Sequence, residues 1–284
     1  MIENLLNRSR TSLSFEVSPP KTEEEFQAVF EKLNAFAALN PDFISCTYGA
    51  GGSRAGKTAE IVSYIQNRLH IDAIAHMTCV GFRQADLKEN CELLQKEGIR
   101  YVMALRGDRP RTMTDDQYDN REFYYAADMI RYLKANTSLK IAGACYPEKH
   151  YEAESFDSDL AHLKEKTDAG AEFLITQLFF SNDLFYRFRE RAAAAGITVP
   201  ICAGIMPVTN ARQIGTTVTL SGSSVPKELS DIIAAYGDNK EDMRKAGIDY
   251  AVRQIRDLKK HGVDGIHLYT MNGPKTTAKI VSQI

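Results

Sequence analysis

The chain has 284 residues, enough for one large domain with a buried core or for two small domains. Its formal net charge of −2 argues against a nucleic-acid-binding protein, which would usually carry a basic excess. No apolar run approaches the ~20 residues that are needed to span a bilayer. Residues 1–12 also lack the apolar segment of a signal peptide. We therefore expect a cytoplasmic protein without nucleic-acid or membrane partners.

The cysteines are odd in number and form no CxxC pair. Four of them lie inside apolar runs, where a reduced cysteine behaves as a small core residue. We expect buried free thiols rather than disulfides, zinc ligands or catalytic groups, and we predict no metal site. The five are Cys46, Cys79, Cys91, Cys145 and Cys202.

Short apolar runs rich in β-forming residues recur along the whole chain. Several are apolar at nearly every position, as expected for parallel strands that are covered on both faces. The eight predicted strands are residues 13–17, 43–47, 73–79, 101–105, 141–145, 173–178, 201–205 and 265–269.

Segments with helical spacing and polar faces separate these strands. The first opens with Thr22 and Glu25 at the spacing of a capping box, and three others stop before a glycine, a common helix end. The predicted helices include residues 22–39, 84–97, 158–169, 183–195, 227–236 and 240–261.

Eight strands that alternate with helices in ~250 residues or somewhat more predict an α/β fold, a closed eight-stranded βα (TIM) barrel. The competing topology is a doubly wound open sheet, which usually needs fewer strands. Its dinucleotide-binding version would start with a glycine fingerprint that this sequence lacks. We predict one barrel domain over residues 1–284, with a helical elaboration at about 206–262 before the last strand.

Polar side chains stand at nearly every carboxyl end of the predicted strands, where a βα barrel builds its active site. Singly, each has a structural explanation: a strand glutamate or a lone histidine usually pairs within the protein, and Arg106 and Asp108 could pair with each other. A converging ring of such groups instead predicts a ligand, because buried polar groups cost free energy unless they are paired. The ring comprises Glu16, Thr47, Tyr48, His76, Thr78, Arg106, Asp108, Tyr146, His150, Gln177, Tyr269, Thr270 and Asn272.

Glu16 is the sharpest catalytic candidate. It stands near the end of the first strand between Phe15 and Val17. A carboxyl group in such a setting is suited to general acid catalysis.

Residues 51–58 match the P-loop pattern GxxxxGK[ST] and follow a predicted strand. A P-loop enzyme also needs a Walker-B aspartate at the end of a neighbouring strand. The best candidate strand, 101–105, is followed by Arg106, and Asp108 is displaced into the loop. We therefore interpret the motif as a glycine-rich loop that lets the backbone approach a ligand.

Eight motifs resemble, in order and in strand position, those of the methylenetetrahydrofolate reductase family, flavin-dependent barrel enzymes of one-carbon metabolism. The resemblance runs from Ser14 to about Asn272, and no C-terminal regulatory domain of the eukaryotic kind follows, so it is to the compact bacterial form. The motifs are SFEVSPPKT (14–22), TYGAGGS (47–53), HMTC (76–79), ALRGDRP (104–110), YPEKH (146–150), DAGAEFLITQLFF (168–180), GIMPVTN (204–210) and LYTMN (268–272).

The resemblance implies a reductase that holds FAD across the barrel mouth and works by a ping-pong sequence. NADH or NADPH would deliver hydride and leave, and methylenetetrahydrofolate would then be reduced to methyltetrahydrofolate. By the same resemblance Glu16 is the general acid, and Asp108 is the acidic residue between flavin and folate. Gln177 and Gln213 would bind the substrate, together with Glu16 and Asp108.

The resemblance also implies a set of flavin contacts. Arg106, His150 and Lys166 are suitable partners for a diphosphate and a ribityl chain. The full set is Thr47, Tyr48, Ala50, His76, Arg106, Gly107, Asp108, Tyr125, Ala126, Tyr146, His150, Ala153, Asp159, His162 and Lys166, with Tyr125, Ala126 and Ala153 on the adenine side.

Some positions depart from the family pattern. Thr217 stands where an aromatic residue often stacks on substrate, and Gly273 replaces an arginine. His162 and Glu165 stand where the flavin site often has an amide and a basic residue. These departures leave open a flavin- or folate-binding subunit that needs a partner protein for reduction, or a barrel enzyme with a changed substrate. We also expect a homo-oligomer, since such barrels often pair through their outer helices.

Overall fold

Eight parallel strands form a closed barrel in sequence order, which confirms the predicted TIM barrel. The computed structural model describes residues 6, 9–20, 22, 24–48, 55–110 and 112–284. The strands are β1 (Ser12–Val17), β2 (Phe43–Cys46), β3 (Asp72–Thr78), β4 (Tyr101–Leu105), β5 (Lys140–Cys145), β6 (Phe173–Thr176), β7 (Ile201–Ile205) and β8 (Gly265–Tyr269).

Helices follow every strand, and those predicted from the sequence begin and end within two residues of the prediction. Among the helices described, none is long and apolar enough to cross a membrane. The helices are α1 (Glu24–Ala37), α2 (Ala55–Asn67), α3 (Gln84–Lys96), α4 (Asp115–Asp119), α5 (Ala126–Asn136), α6 (Phe156–Ala169), α7 (Asn182–Ala194), α8 (Ala211–Ser221), α9 (Lys227–Tyr236), α10 (Lys240–Lys260) and α11 (Pro274–Val281).

The elaboration between β7 and β8 contains α8, α9 and α10. Of these, α8 was not predicted, because its sequence ARQIGTTVTLS is rich in threonine and contains a glycine, residues of low helix propensity. Asn210 supplies the missing start signal, since its side chain accepts a hydrogen bond from the Arg212 N–H at 2.9 Å.

The barrel interior has an apolar part and a polar part. Aromatic contact between Phe43 and Phe173, at 6.1 Å between ring centroids, crosses the barrel from β2 to β6. On the side of β8, β1 and β2, by contrast, Ser14, Ser45 and His267 are all buried. The apolar cluster consists of Leu6, Phe43, Ile74, Tyr101, Met103, Ala142, Phe173, Ile175 and Cys202.

A much larger apolar cluster fills the space between the strands and the helices. All five cysteines are buried and free, as predicted. Burial raises the pKa of Cys79 and Cys91 to about 12, so these thiols stay protonated near neutral pH.

Gly204 on β7 lets a side chain cross the top of the barrel. Tyr269 of β8 donates its hydroxyl to the Thr176 carbonyl of β6 at 2.7 Å, passing over Gly204. A Cβ atom at Gly204 would lie 2.4 Å from that carbonyl oxygen and 2.7 Å from Cε2 of the Tyr269 ring. The Gly204 N–H also donates to Thr176 Oγ1 at 2.8 Å, so this position is fixed from both sides.

We predict that Gly204→Ala lowers the free energy of unfolding by about 3 kcal/mol, because the new methyl group overlaps backbone that cannot move freely. Gly215→Ala is the matched control, since a Cβ there meets nothing within 4 Å. On helix α8 that change should be neutral or should stabilise by up to about 1 kcal/mol. Urea unfolding of both variants checks this, and equal effects would contradict the close approach at Gly204.

Candidate active site

Glu16 lies at the barrel mouth, in register with Ser45 of β2 and Tyr269 of β8. Its side chain is 19% exposed, so it meets both solvent and the interior. Its Oε2 lies 3.8 Å from Nε2 of His76 and 3.8 Å from Nε2 of His267. The carboxylate therefore faces two buried imidazoles at distances longer than a hydrogen bond.

His267 is fully buried on β8 and is bonded to two serines. Its Nδ1 lies 2.8 Å from Ser14 Oγ, and its Nε2 lies 3.4 Å from Ser45 Oγ. Ser14 Oγ donates to the Ile266 carbonyl at 3.2 Å. A hydroxyl has one proton to donate, so a Ser14 that donates to this carbonyl accepts from Nδ1–H of His267. The Nε2 atom of His267 is directed at Ser45 and Glu16.

His76 on β3 carries a buried polar atom without a partner. Its Nε2 has no hydrogen-bond partner among the residues described. Burial lowers the pKa of His76 to about 4, with a smaller opposing effect from Glu16, so the imidazole is neutral near pH 7. A buried, unpaired ring nitrogen at a barrel mouth indicates a ligand that completes its hydrogen bonding.

We predict that His76 makes the protein less stable as the pH falls. Between its ordinary pKa of 6.5 and its folded value of about 4, the unfolded chain binds more protons than the folded chain. Stability is therefore lost as the pH falls from about 6.5 towards 4, by about 2 kcal/mol between pH 7 and pH 5. Urea unfolding at several pH values should show a smaller loss for His76→Gln than for the wild type; equal slopes would contradict the assignment.

Arg106, directly after β4, pairs with the Glu152 carboxylate of the loop between β5 and α6. A pair between Arg106 and Asp108 was the structural alternative that the sequence left open. Nη1 of Arg106 instead contacts Glu152. The hydrogen bond raises the pKa of Arg106 and lowers the pKa of Glu152 to about 2. Asp108 is exposed. Burial raises the pKa of Tyr146, and the negative charges of Asp159 and, to a smaller extent, Asp108 raise it further.

Gly107 allows the chain after β4 to approach β3 closely. Its φ is +79°, a conformation that favours glycine, and a Cβ there would lie 2.6 Å from Cβ of Thr78. The predicted flavin contacts Arg106 and Asp108 flank this close approach.

The β5–α6 loop, residues 146–155, collects several predicted flavin contacts. The rings of Tyr146 and His150 meet edge to face at 4.7 Å, and Asp159 Oδ2 accepts the His150 N–H at 3.1 Å. The Ala153 N–H donates to the His150 carbonyl at 3.0 Å. Lys166 on α6 donates to the Ala144 carbonyl, and burial lowers the pKa of its amine.

Tyr125 and Ala126 lie at the start of α5, and Tyr125 is exposed. The Tyr125 ring stacks on His162 of α6, with centroids 5.9 Å apart and planes inclined by 17°. Nδ1 of His162 lies 3.8 Å from Oε2 of Glu165. His162 and Glu165, the two positions on α6 that depart from the family pattern, therefore contact each other. His162 also extends the aromatic surface of Tyr125.

The two predicted substrate glutamines lie on different parts of the fold. Gln177 follows β6 at the mouth, and its Oε1 accepts the Leu178 N–H at 2.9 Å. Gln213 lies on α8 in the elaboration, where its Oε1 accepts the Thr209 N–H at 3.3 Å. Thr217 is one turn further along α8, whereas Gly273 forms the N-cap of α11.

The remaining predicted contacts lie at the end of β2. Thr47 donates its hydroxyl to Ser18 Oγ at 3.0 Å, and the Tyr48 ring packs on Phe82 at 5.6 Å. Ala50 lies outside the described residues, as do residues 51–54 of the P-loop-like motif. Within the described ranges, no group of three or more His, Cys, Asp or Glu is placed to hold a metal ion.

Sequence reasoning missed His267, Ser14 and Glu152. The two strand residues share a signal, since Ser14 stands two residues before Glu16, and His267 two before Tyr269. Residues two apart on a strand point to the same face, so alternation would have placed both under the mouth. Glu152 had no comparable signal, because its partner is 46 residues away in the chain.

A family model described as methylenetetrahydrofolate reductase matches residues 1–284. The chain belongs to the methylenetetrahydrofolate reductase family. This confirms the resemblance, and the family is one of oxidoreductases.

Bacterial and plant relatives match different shares of their own length. The 5,10-methylenetetrahydrofolate reductase of Pectobacterium carotovorum subsp. carotovorum is 35% identical over 265 residues, which cover 93% of this chain and 87% of that protein. The Escherichia coli (strain K12) reductase is 34% identical, with 93% and 88% covered. Methylenetetrahydrofolate reductase (NADH) 1 of Arabidopsis thaliana is 33% identical over 294 residues, and the chain spans only 50% of it.

Solved structures with low sequence identity share the fold. A Clostridium thermocellum protein that binds two copies of 5-methyl-5,6,7,8-tetrahydrofolic acid superposes with a TM-score of 0.70 at 13% identity, covering 99% of this chain and 96% of that one. Dihydropteroate synthase from Xanthomonas albilineans, in complex with 7,8-dihydropteroate, gives a TM-score of 0.55 at 13% identity, covering 97% and 92%.

Proposed function

We propose that this chain reduces 5,10-methylenetetrahydrofolate to 5-methyltetrahydrofolate, with FAD as cofactor and NADH or NADPH as reductant. The observation that carries the proposal is the Glu16 carboxyl at the mouth, facing two buried imidazoles at 3.8 Å. Family membership and the relatives named 5,10-methylenetetrahydrofolate reductase support the reaction. The folate-binding Clostridium thermocellum protein supports a barrel of this kind as a folate site.

The residues present fit FAD. His76 offers a buried ring nitrogen without a partner, Gly107 provides a close backbone approach, and Arg106 provides a cation for a diphosphate. The chemistry that FAD supplies when bound is hydride transfer from a nicotinamide to the one-carbon unit of the folate. The residues proposed to hold it are Thr47, Tyr48, Ala50, His76, Arg106, Gly107, Asp108, Tyr125, Ala126, Tyr146, His150, Ala153, Asp159, His162 and Lys166.

Glu16 is proposed to deliver the proton that opens the folate ring. Reduction requires protonation of a ring nitrogen, because ring opening then frees an iminium carbon that accepts hydride. His267, whose Nε2 lies 3.8 Å from Oε2 of Glu16, is proposed to exchange a proton with this carboxyl group once the two atoms approach to hydrogen-bond distance. Ser14, whose Oγ lies 2.8 Å from Nδ1 of His267, is proposed to hold the tautomer that this exchange needs.

Asp108, Gln177 and Gln213 are proposed to bind the substrate. The exposed carboxylate of Asp108 would stabilise the positive charge of the iminium ion. The Gln177 amide stands at the end of β6, where its oxygen is bonded to the Leu178 N–H. Its NH₂ group is proposed to donate to the substrate. The expected homo-oligomer stays a prediction.

We predict that Glu16→Gln separates the two halves of the reaction. Visible spectra of the anaerobic wild-type protein should bleach with NADH or NADPH and recover with methylenetetrahydrofolate. The variant should bleach at a similar rate, because that half needs no proton donor, and its recovery should slow by about 10³-fold.

Three results would contradict this assignment. Unchanged recovery in the variant would remove Glu16 from the mechanism. A wild-type protein that binds FAD but is bleached by neither nicotinamide would indicate a subunit that needs a partner protein. A colourless protein that FAD does not reconstitute would overturn the reductase assignment.

We predict that His267→Gln lowers the rate of folate reduction about tenfold and changes its pH profile, because Glu16 loses the group with which it exchanges a proton. Ser14→Ala should give a smaller change of the same kind, since it frees the His267 tautomer. FAD affinity should stay within about twofold in both variants. A loss of FAD binding in step with activity, without a change in the pH profile, would instead show a structural role.

A further inference from the structure

The cation proposed for the cofactor's diphosphate already has an anionic partner in the chain. Arg106 Nη1 donates to Glu152 Oε2, and the Arg106 side chain is only 24% exposed. Glu152 also accepts a hydrogen bond from Tyr151. With a pKa of about 2, set mainly by Arg106, Glu152 carries its charge across the whole range near neutral pH.

The backbone that carries Glu152 is firmly held. The Glu152 N–H donates to Nδ1 of His150 at 3.2 Å, and the Tyr151 ring stacks on the His150 ring at 4.7 Å. Lys149 Nζ donates to the carbonyls of His150 at 3.2 Å and Ala153 at 2.6 Å. The Glu152 side chain, by contrast, is 46% exposed. Its carboxylate can therefore leave Arg106 by rotation of the side chain while the loop stays folded.

A diphosphate on Arg106 would meet this carboxylate at close range. Two anions a few ångströms apart repel each other strongly when solvent is partly excluded. Arg106 would bind the diphosphate and lose its hydrogen bond to Glu152. The free energy of separating Arg106 from Glu152 therefore weakens diphosphate binding.

We propose that Glu152 sets the affinity for the cofactor by competing with its diphosphate for Arg106. Glu152 is thus an internal inhibitor of cofactor binding that moves aside when the diphosphate binds. The inference rests on the proposed function, because it takes Arg106 as a contact of FAD.

Removal of the charge at Glu152 should strengthen cofactor binding. The Kd for FAD of the reconstituted Glu152→Gln protein should be about fivefold lower than the Kd of the wild type, as expected for the loss of a partly exposed ion pair. Dilution of the reconstituted protein, followed by the fluorescence of released flavin, measures this without any turnover. Glu154→Gln is the matched control, because it removes the same charge two residues further along at an exposed position. Its Kd should change less than twofold.

The Arg106→Gln background isolates the competition from general electrostatics. There the gain from Glu152→Gln should vanish, since the competed cation is gone. Unchanged or weaker FAD binding by Glu152→Gln in the wild-type background overturns the proposal and assigns Glu152 to positioning Arg106. A gain that persists without Arg106, or an equal gain in Glu154→Gln, overturns it as well. A wild-type protein that binds no FAD overturns both this inference and the proposed function.

Discussion

Parallel pairing of β8, β1 and β2 is the constraint on which the proposed acid depends. Its register sets Ser14 beside His267, and Glu16 beside Ser45 and Tyr269. Because strand side chains alternate with a period of two, Ser14 and Glu16 both point into the barrel. A slip of one residue in β1 would turn Ser14 and Glu16 towards the outer helices and bring Phe15 into the barrel. Closure of the barrel prevents such a slip, since β1 is bonded on both edges.

The polar part of the interior has to be satisfied within the protein. Burial of an imidazole costs free energy unless its nitrogens are bonded, and His267 meets this cost with Ser14 and Ser45. His76 does not, since its Nε2 lacks a partner among the described residues. In the apolar part, Phe43 and Phe173 are in contact across the barrel, and this part provides the apolar packing of the interior. Stability at the mouth is therefore lower than a wholly apolar interior would give, as is usual where a site must bind a ligand.

The sequence predicted the strands well because parallel strands covered on both faces are almost wholly apolar, and this signal is local. Helix α8 escaped because its residues favour strands and its start depends on a single side chain, Asn210. His267 escaped because it was part of the apolar run 265–269, which was interpreted as core. The pairing of Arg106 with Glu152 was not predicted, since Glu152 is brought to Arg106 only by the fold. The family could be predicted from the motifs, whereas the contacts of single residues depend on the three-dimensional fold.

Two groups of polar and charged side chains lie on different strands at the mouth. Glu16 and the two imidazoles that it faces lie on β1, β8 and β3, whereas the Arg106–Glu152 ion pair lies after β4 and β5. Tyr269 of β8 crosses the mouth to the end of β6, where its hydroxyl donates to the Thr176 carbonyl. The two groups share one residue under the proposed function, since His76 faces Glu16 and is also proposed to contact FAD. Under the proposed function, Arg106 and Glu152 would set the affinity for the cofactor, whereas Glu16 and His267 would set proton delivery.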